Sequence, residues 1–210
     1  MNALQGQKRL LRRQYMTWRC GLSIAEWQYR SRLLGDRLVS HPAVETAKTI
    51  LAYQSHRQEP DLSTVWGRSE RVMAERIWGL PRCIKGHPSD PKPTQLAWHE
   101  WQPGQPLEPG TYGLREPDPA WPTIQPEQVD LILVPMVAGD RQGYRLGYGG
   151  GFYDRLFSAP QWQAIPKVGL IFDELLVESL PHEPWDQPLD AICTDQQWVE
   201  VSGRSFSAPR

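Results

Sequence analysis

The run "VDLILVP" at residues 129–135 is apolar at nearly every position, so it lacks the alternation of a strand with one wet face. Such a strand is covered on both sides, as in parallel sheets flanked by helices. Shorter runs of the same kind recur as "TILAY" at 49–53, "PKVGLIF" at 166–172 and "LDAICT" at 189–194. Segments of helical spacing separate them. Strands alternating with helices predict an α/β fold with a mainly parallel central sheet flanked by helices, and no boundary interrupts residues 1–210, a length that fits one large domain or a domain with a small satellite. A chain of 210 residues buries a core of that kind without disulfides.

Two helices are readable before the first strand. Leu4, Leu11, Tyr15 and Trp18 recur at helical spacing, and on a 100° wheel Lys8 and Arg12 lie one turn apart on the border of that apolar stripe. Arg9 and Arg13 point away from it, so the border pair alone is placed to reach a site. A second helix is announced by Ser23 with Glu26 three residues on, a capping-box spacing, with Ile24, Trp27, Leu34 and Leu38 as its inner face. After the polar stretch "QSHRQEPDLS", helical spacing resumes through Leu62, Val65, Trp66, Val72, Met73 and Ile77. From Pro81 to Pro126 prolines interrupt every pattern except "LAWHEW", which alternates as a strand. Its prolines lie among Trp, Tyr and Leu, so an ordered proline-rich surface excursion is expected rather than a linker.

Composition removes several function classes. A net charge of -1 argues against a surface built for polyanions, so no nucleic-acid partner is expected. Cys20, Cys83 and Cys193 are far apart and odd in number, which suits a reduced compartment and three small buried hydrophobes rather than disulfides or zinc. No segment has the length and apolarity of a signal sequence or a membrane span, which points to the cytoplasm and to no membrane partner. The five histidines show no ligand spacing. Trp98, Trp101 and Trp121 are read as packing residues rather than as platforms for a ligand ring, and Asp186 and Asp190 as turn or capping groups beside a proline.

The segment following the 129–135 strand is the candidate site. "RLGYGGGFYD" at 145–154 places four glycines among five residues, Gly147, Gly149, Gly150 and Gly151 around Tyr148, where a strand hands over to a helix near Phe152. Ligands of open α/β sheets bind beyond the carboxyl ends of the strands. Clustered glycines admit positive φ and let backbone N–H groups approach an anion, and phosphate is the natural guest. Arg145 adds a fork suited to a phosphate oxygen, and Asp154 suits either a helix start or a Mg²⁺ ion on phosphates. The pattern matches neither GxxxxGK[ST] nor GxGxxG, whose third glycine is Phe152 here. A tight turn with Phe152 and Tyr153 as core aromatics and Asp154 as a cap remains the competing reading.

"VPMVAGDRQGYRLGYGGGFYDRLF", together with "KRLLR", "YQSHRQEPDLST", "YGLREP", "VGLIFD" and "PHEPWDQPLDAICT" in that order, resembles the 5-formyltetrahydrofolate cyclo-ligase family over nearly the whole chain. The resemblance implies a single α/β domain that uses ATP and Mg²⁺ to close 5-formyltetrahydrofolate to 5,10-methenyltetrahydrofolate, releasing ADP and phosphate; the expected state is a monomer. By position, Lys8 and Arg12 match phosphate-binding cations, and Arg145, Gly147, Tyr148, Gly149, Gly150, Gly151, Phe152 and Tyr153 match the ATP loop. Gln54 and Glu59 match folate contacts, and Asp154 a metal-associated aspartate. Read without the family, Lys8 and Arg12 are a solvated helix face and Glu59 a loop carboxylate.

The implied chemistry needs no protein nucleophile. ATP converts the formyl oxygen into a leaving group, and N10 then closes the ring. Arg145 and Tyr153 are the catalytic candidates, Arg145 to stabilise charge on the transferred phosphoryl group, Tyr153 to bond a phosphate or shape the folate pocket. Three positions depart from the family pattern: Gly150 where some members have lysine, Phe152 where tyrosine is usual, and Leu175 where many have glutamine. The alternatives are a nucleic-acid binding module and a nucleotide-binding regulator without turnover.

Overall fold

The computed structural model describes residues 3–66, 76–203 and 206. Helices α1 (Ala3–Cys20), α2 (Ile24–Val39) and α3 (Pro42–Thr46) precede β1 (Thr49–Leu51) and α4 (Ser63–Trp66). Then come β2 (Ile77–Ile84), β3 (Gln95–Trp101), β4 (Glu108–Pro109), β5 (Arg115–Glu116), β6 (Leu131–Pro135), β7 (Ala138–Asp140) and β8 (Arg145–Leu146). The chain continues with α5 (Phe152–Ser158), α6 (Pro160–Gln163), β9 (Lys167–Leu170), β10 (Leu176–Val177), β11 (Ala191–Cys193) and β12 (Trp198–Glu200). Seven strands form one sheet in the order β12-β11-β9-β6-β1-β2-β3. It is parallel from β11 to β2 and carries an antiparallel strand on each edge. This is the expected α/β architecture. A three-stranded sheet β10-β7-β8 and the ribbon β4-β5 are attached to it.

The apolar runs lack alternation because successive residues serve different cores. Leu131 and Leu133 of β6 pack with Leu34 and Leu38 of α2 on one face. Ile132 and Val134 pack with Phe157 and Trp162, from α5 and α6, on the other. Tyr15 and Trp18 of α1 lean on this second core, as the spacing predicts. The chain leaves β1 toward β2 and β3 on one side, then returns to β6 and runs outward through β9 and β11 on the other. The sheet therefore reverses its order between β1 and β6, and a crevice is expected beyond their carboxyl ends.

Several expectations need correction. Ser23 caps α2 by accepting the Glu26 N–H at 3.2 Å, but the Glu26 carboxylate pairs with Arg30 at 3.1 Å instead of closing a box. Leu34 and Leu38 are fully buried, whereas Ile24 is 69% exposed, because its helical line runs past the edge of the core in the first turn. Ser31 and Gly35 complete the inner face. Val72 and Met73 lie outside the described residues, and Ile77 opens β2 instead of continuing a helix. Pro81 is tolerated in that strand because β1 ends with Leu51 opposite Gly79, leaving Pro81 in an overhang beside β1. Cys193 is buried, but Cys83 is half-buried and Cys20 is exposed with its thiol against the Arg57 carbonyl, so only one cysteine behaves as a core hydrophobe.

Candidate active site

The crevice at the reversal is a cavity of about 700 Å³, within the range of small-molecule sites. Two loops dominate its wall. One follows β1 and brings Gln54, His56, Arg57 and Glu59; the other follows β8 and brings Gly147 to Asp154. Helix α1 adds Lys8 and Arg12, and the 184–187 turn adds Trp185 and Asp186. Every residue the sequence nominated thus faces one cavity. The proline-rich excursion is not a bystander: Lys92, Leu96, Tyr112 and Arg115 line the same space.

One end is cationic. Lys8, nominally a surface residue, is buried and pairs with Asp186 at 2.5 Å. Asp186 also accepts the Glu183 N–H at 2.8 Å, so the turn role expected for it is real but incomplete. Arg12 donates through Nε to the Gly147 carbonyl at 2.7 Å and meets no carboxylate at ion-pair distance among the described residues. Burial lowers its pKa and Asp186 raises it. Arg145 donates to the Gln187 carbonyl and to Asp154 at 2.5 Å, and packs over Phe157 at 5.0 Å. Burial depresses its pKa too, with Asp154 the leading opposing influence. Both guanidiniums stay charged. The loop between them needs glycine where it turns: φ is +97° at Gly149 and +66° at Gly151, the residue before α5.

The other end is a buried carboxylate. Arg57 and Gln58 adopt φ of 50° and 56°, a left-handed pair that folds the loop back on itself. Glu59 Oε2 then accepts the His56 N–H at 3.0 Å, and Oε1 accepts the Tyr148 hydroxyl at 2.8 Å. Burial pushes the Glu59 pKa up to about 7, against the opposing pulls of Arg19, the Tyr148 hydroxyl and the His56 N–H. Tyr148, nominated for the nucleotide loop, thus turns its hydroxyl to the opposite end. Tyr153 packs on Phe157 at 5.7 Å, and burial raises its pKa, so it is a neutral donor. Phe152 meets Tyr112 edge-on at 6.0 Å, with Arg155 above it at 5.3 Å.

Asp154 is the nominated metal ligand. One of its oxygens is taken by Arg145 and, at 3.3 Å, by the Gln187 N–H; the other is not engaged by any described residue. No group of three or more His, Cys, Asp or Glu is gathered for a metal among the described residues. Mg²⁺ commonly takes one or two carboxylates, with phosphates and waters completing its shell, so a lone open oxygen beside a phosphate loop fits that mode and not an all-protein cage. Leu175 is a core residue, 1% exposed and outside the cavity wall, so it supplies no polar contact to the cavity. Trp98 and Trp101 are core residues, as expected, and Trp121 packs against the core.

Sequence reasoning missed His56, Trp185 and above all Arg19, buried at the end of α1. Positions 8, 12, 15 and 19 form one helical line, and that continuation of the Lys8 and Arg12 stripe was the available signal.

The model of the 5-formyltetrahydrofolate cyclo-ligase family matches residues 4–195. The chain is 37% identical over 159 residues to the 5-formyltetrahydrofolate cyclo-ligase of Mycolicibacterium smegmatis, covering 73% of this chain and 77% of that protein. It is 31% identical over 181 residues to the Escherichia coli protein of the same name, covering 84% and 93%. Among solved structures it is similar to the 5,10-methenyltetrahydrofolate synthetase of Aquifex aeolicus, with a TM-score of 0.77, 30% identity and 95% and 96% of the two chains covered. No helix among the described residues is long and apolar enough to cross a membrane.

Proposed function

The chain belongs to the 5-formyltetrahydrofolate cyclo-ligase family, and from that premise we propose that its cavity closes 5-formyltetrahydrofolate to 5,10-methenyltetrahydrofolate with ATP as the dehydrating co-substrate. The observation that carries the ATP reading is the meeting of the two ends: a residue of the glycine loop, Tyr148, bonds the buried carboxylate Glu59 at 2.8 Å. A phosphate held by that loop and a pterin held by Glu59 would therefore share one cavity.

In the proposed reaction the formyl oxygen attacks the γ-phosphorus and ADP leaves. N10 then bonds to the activated formyl carbon, the carbon–oxygen bond breaks, inorganic phosphate departs with the former formyl oxygen, and N10 loses its proton. Lys8, Arg12 and Arg145 offset the charge that spreads over the transferred phosphoryl group. The Asp186 and Asp154 partners keep Lys8 and Arg145 aimed into the cavity before a nucleotide arrives. Mg²⁺, when bound, would neutralise phosphate charge, and the open oxygen of Asp154 is the protein group that would hold it. Glu59 accepts the N–H edge of the pterin, Gln54 and Tyr153 line the same wall, and Tyr153 serves as a neutral hydroxyl donor.

The test is turnover of purified protein with 5-formyltetrahydrofolate and Mg²⁺-ATP, followed by the near-ultraviolet absorbance of the methenyl product. Appearance of product that requires both compounds is expected. Folded protein that binds nucleotide without forming product would favour the regulator reading, and binding of RNA in its place the nucleic-acid module.

A further inference from the structure

Arg19 heads the largest fully buried side chains, 1% exposed. An arginine stays ionised in proteins, and burying its charge is costly unless its donors are matched. Apart from a contact of Nη2 with Met16 Sδ at 3.3 Å, one turn back on α1, they are divided among three separate stretches of chain. Nε donates to the Arg57 carbonyl at 3.1 Å, in the loop after β1. Nη1 donates to the Met136 carbonyl at 2.9 Å, just after β6. Nη2 donates to the Tyr148 hydroxyl, in the glycine loop.

The hydroxyl that Arg19 polarises is the one that donates to Glu59, and successive hydrogen bonds of this kind reinforce one another. Each Glu59 oxygen carries one hydrogen bond, from Tyr148 or from the His56 N–H. An ionised carboxylate has about four lone-pair sites, so one remains on each oxygen for a pair of adjacent N–H donors. A pair of N–H donors on those sites holds Glu59 as an ionised, fixed acceptor, and the Tyr148 hydroxyl bonds such an acceptor more strongly than a protonated or unheld one. Tyr148 is flanked by Gly147, whose carbonyl is held by Arg12, and by Gly149 at φ +97°. Glycines leave a loop much conformational freedom to lose, and a hydroxyl anchored on a ligand-bound carboxylate removes part of it.

We propose that Arg19 and Tyr148 are positioning residues that couple the two ends of the cavity, so that a reduced folate on Glu59 tightens nucleotide binding at the glycine loop. By linkage the nucleotide tightens folate by the same factor. This inference rests on the folate and nucleotide reading of the cavity.

Titration calorimetry of the full chain with a non-hydrolysable Mg²⁺-ATP analogue, alone and with saturating 5-formyltetrahydrofolate, measures that factor. In wild type the folate tightens the analogue by about 5-fold or more. Tyr148→Phe keeps the ring and loses the hydroxyl, and the factor falls to within about 2-fold of unity. Arg19→Lys keeps the charge, loses the fork and lowers the factor in the same direction; should it fail to fold, Tyr148→Phe decides alone. An unchanged factor in Tyr148→Phe, or no tightening in wild type, overturns the coupling and leaves the functional reading intact. No binding of 5-formyltetrahydrofolate to wild type overturns both.

Discussion

Glu59 shows what a residue's surroundings add to its identity. In the sequence it is a loop carboxylate before a proline; in the fold it is 3% exposed, with Arg19 and Tyr148 from distant segments beside it. Burial raises its pKa to about 7, so the fold favours the protonated form. Its contribution to stability is complete below the unfolded value near 4.5 and is lost as pH rises through about 7. Ligand binding follows the opposite course, because only the ionised form accepts two N–H donors. The kcat/KM for 5-formyltetrahydrofolate should therefore climb between about pH 6 and 8. Glu59→Gln, which puts an NH2 group where an acceptor oxygen is needed, should lose roughly 100-fold in kcat/KM and flatten that rise; a variant with the wild-type profile would remove Glu59 from the site. Arg19 was hidden for a related reason. A basic residue on a helix is usually solvated, and only the loops that close over it in three dimensions make it a buried anchor.

At the scale of elements, legibility followed the regularity of the pattern. β6, β9 and β11 announce themselves because each is covered on both faces and so is apolar at nearly every position, the buried Lys167 that opens β9 excepted. β2 was obscured twice, by Ile77 falling on a helical period with Leu62 and Val65, and by Pro81, which the end of β1 permits. The glycine loop was readable as a turn but not as a particular one, since the positive φ falls at Gly149 and Gly151 and is not printed by composition. That distinction is testable. A Cβ at Gly149 would meet Arg12 no closer than 3.6 Å, an ordinary contact, so the cost of Gly149→Ala lies in the backbone. Strain of about 1–3 kcal/mol is expected, expressed as a rise of about tenfold or more in KM for ATP; an unchanged KM would show that the loop adopts another conformation with nucleotide.

For the molecule as a whole, the site follows from the strand order. The chain departs from β1 in one direction and from β6 in the other, so the loops after these two neighbours diverge and leave a crevice between them. The carboxylate loop follows one strand, the glycine loop follows the β7 and β8 hairpin after the other, and α1 adds Lys8 and Arg12 to the wall. A near-neutral chain concentrates positive charge at one end of one cavity in this way. The central claim is that ATP and the formyl group react directly inside that cavity, and oxygen bookkeeping tests it. Turnover of 5-formyltetrahydrofolate carrying ¹⁸O in the formyl group, with unlabelled Mg²⁺-ATP, should release inorganic phosphate bearing one ¹⁸O atom per methenyl product formed. Unlabelled phosphate accompanying the same product would contradict phosphorylation of the formyl oxygen and, with it, the arrangement of the two ligands described here.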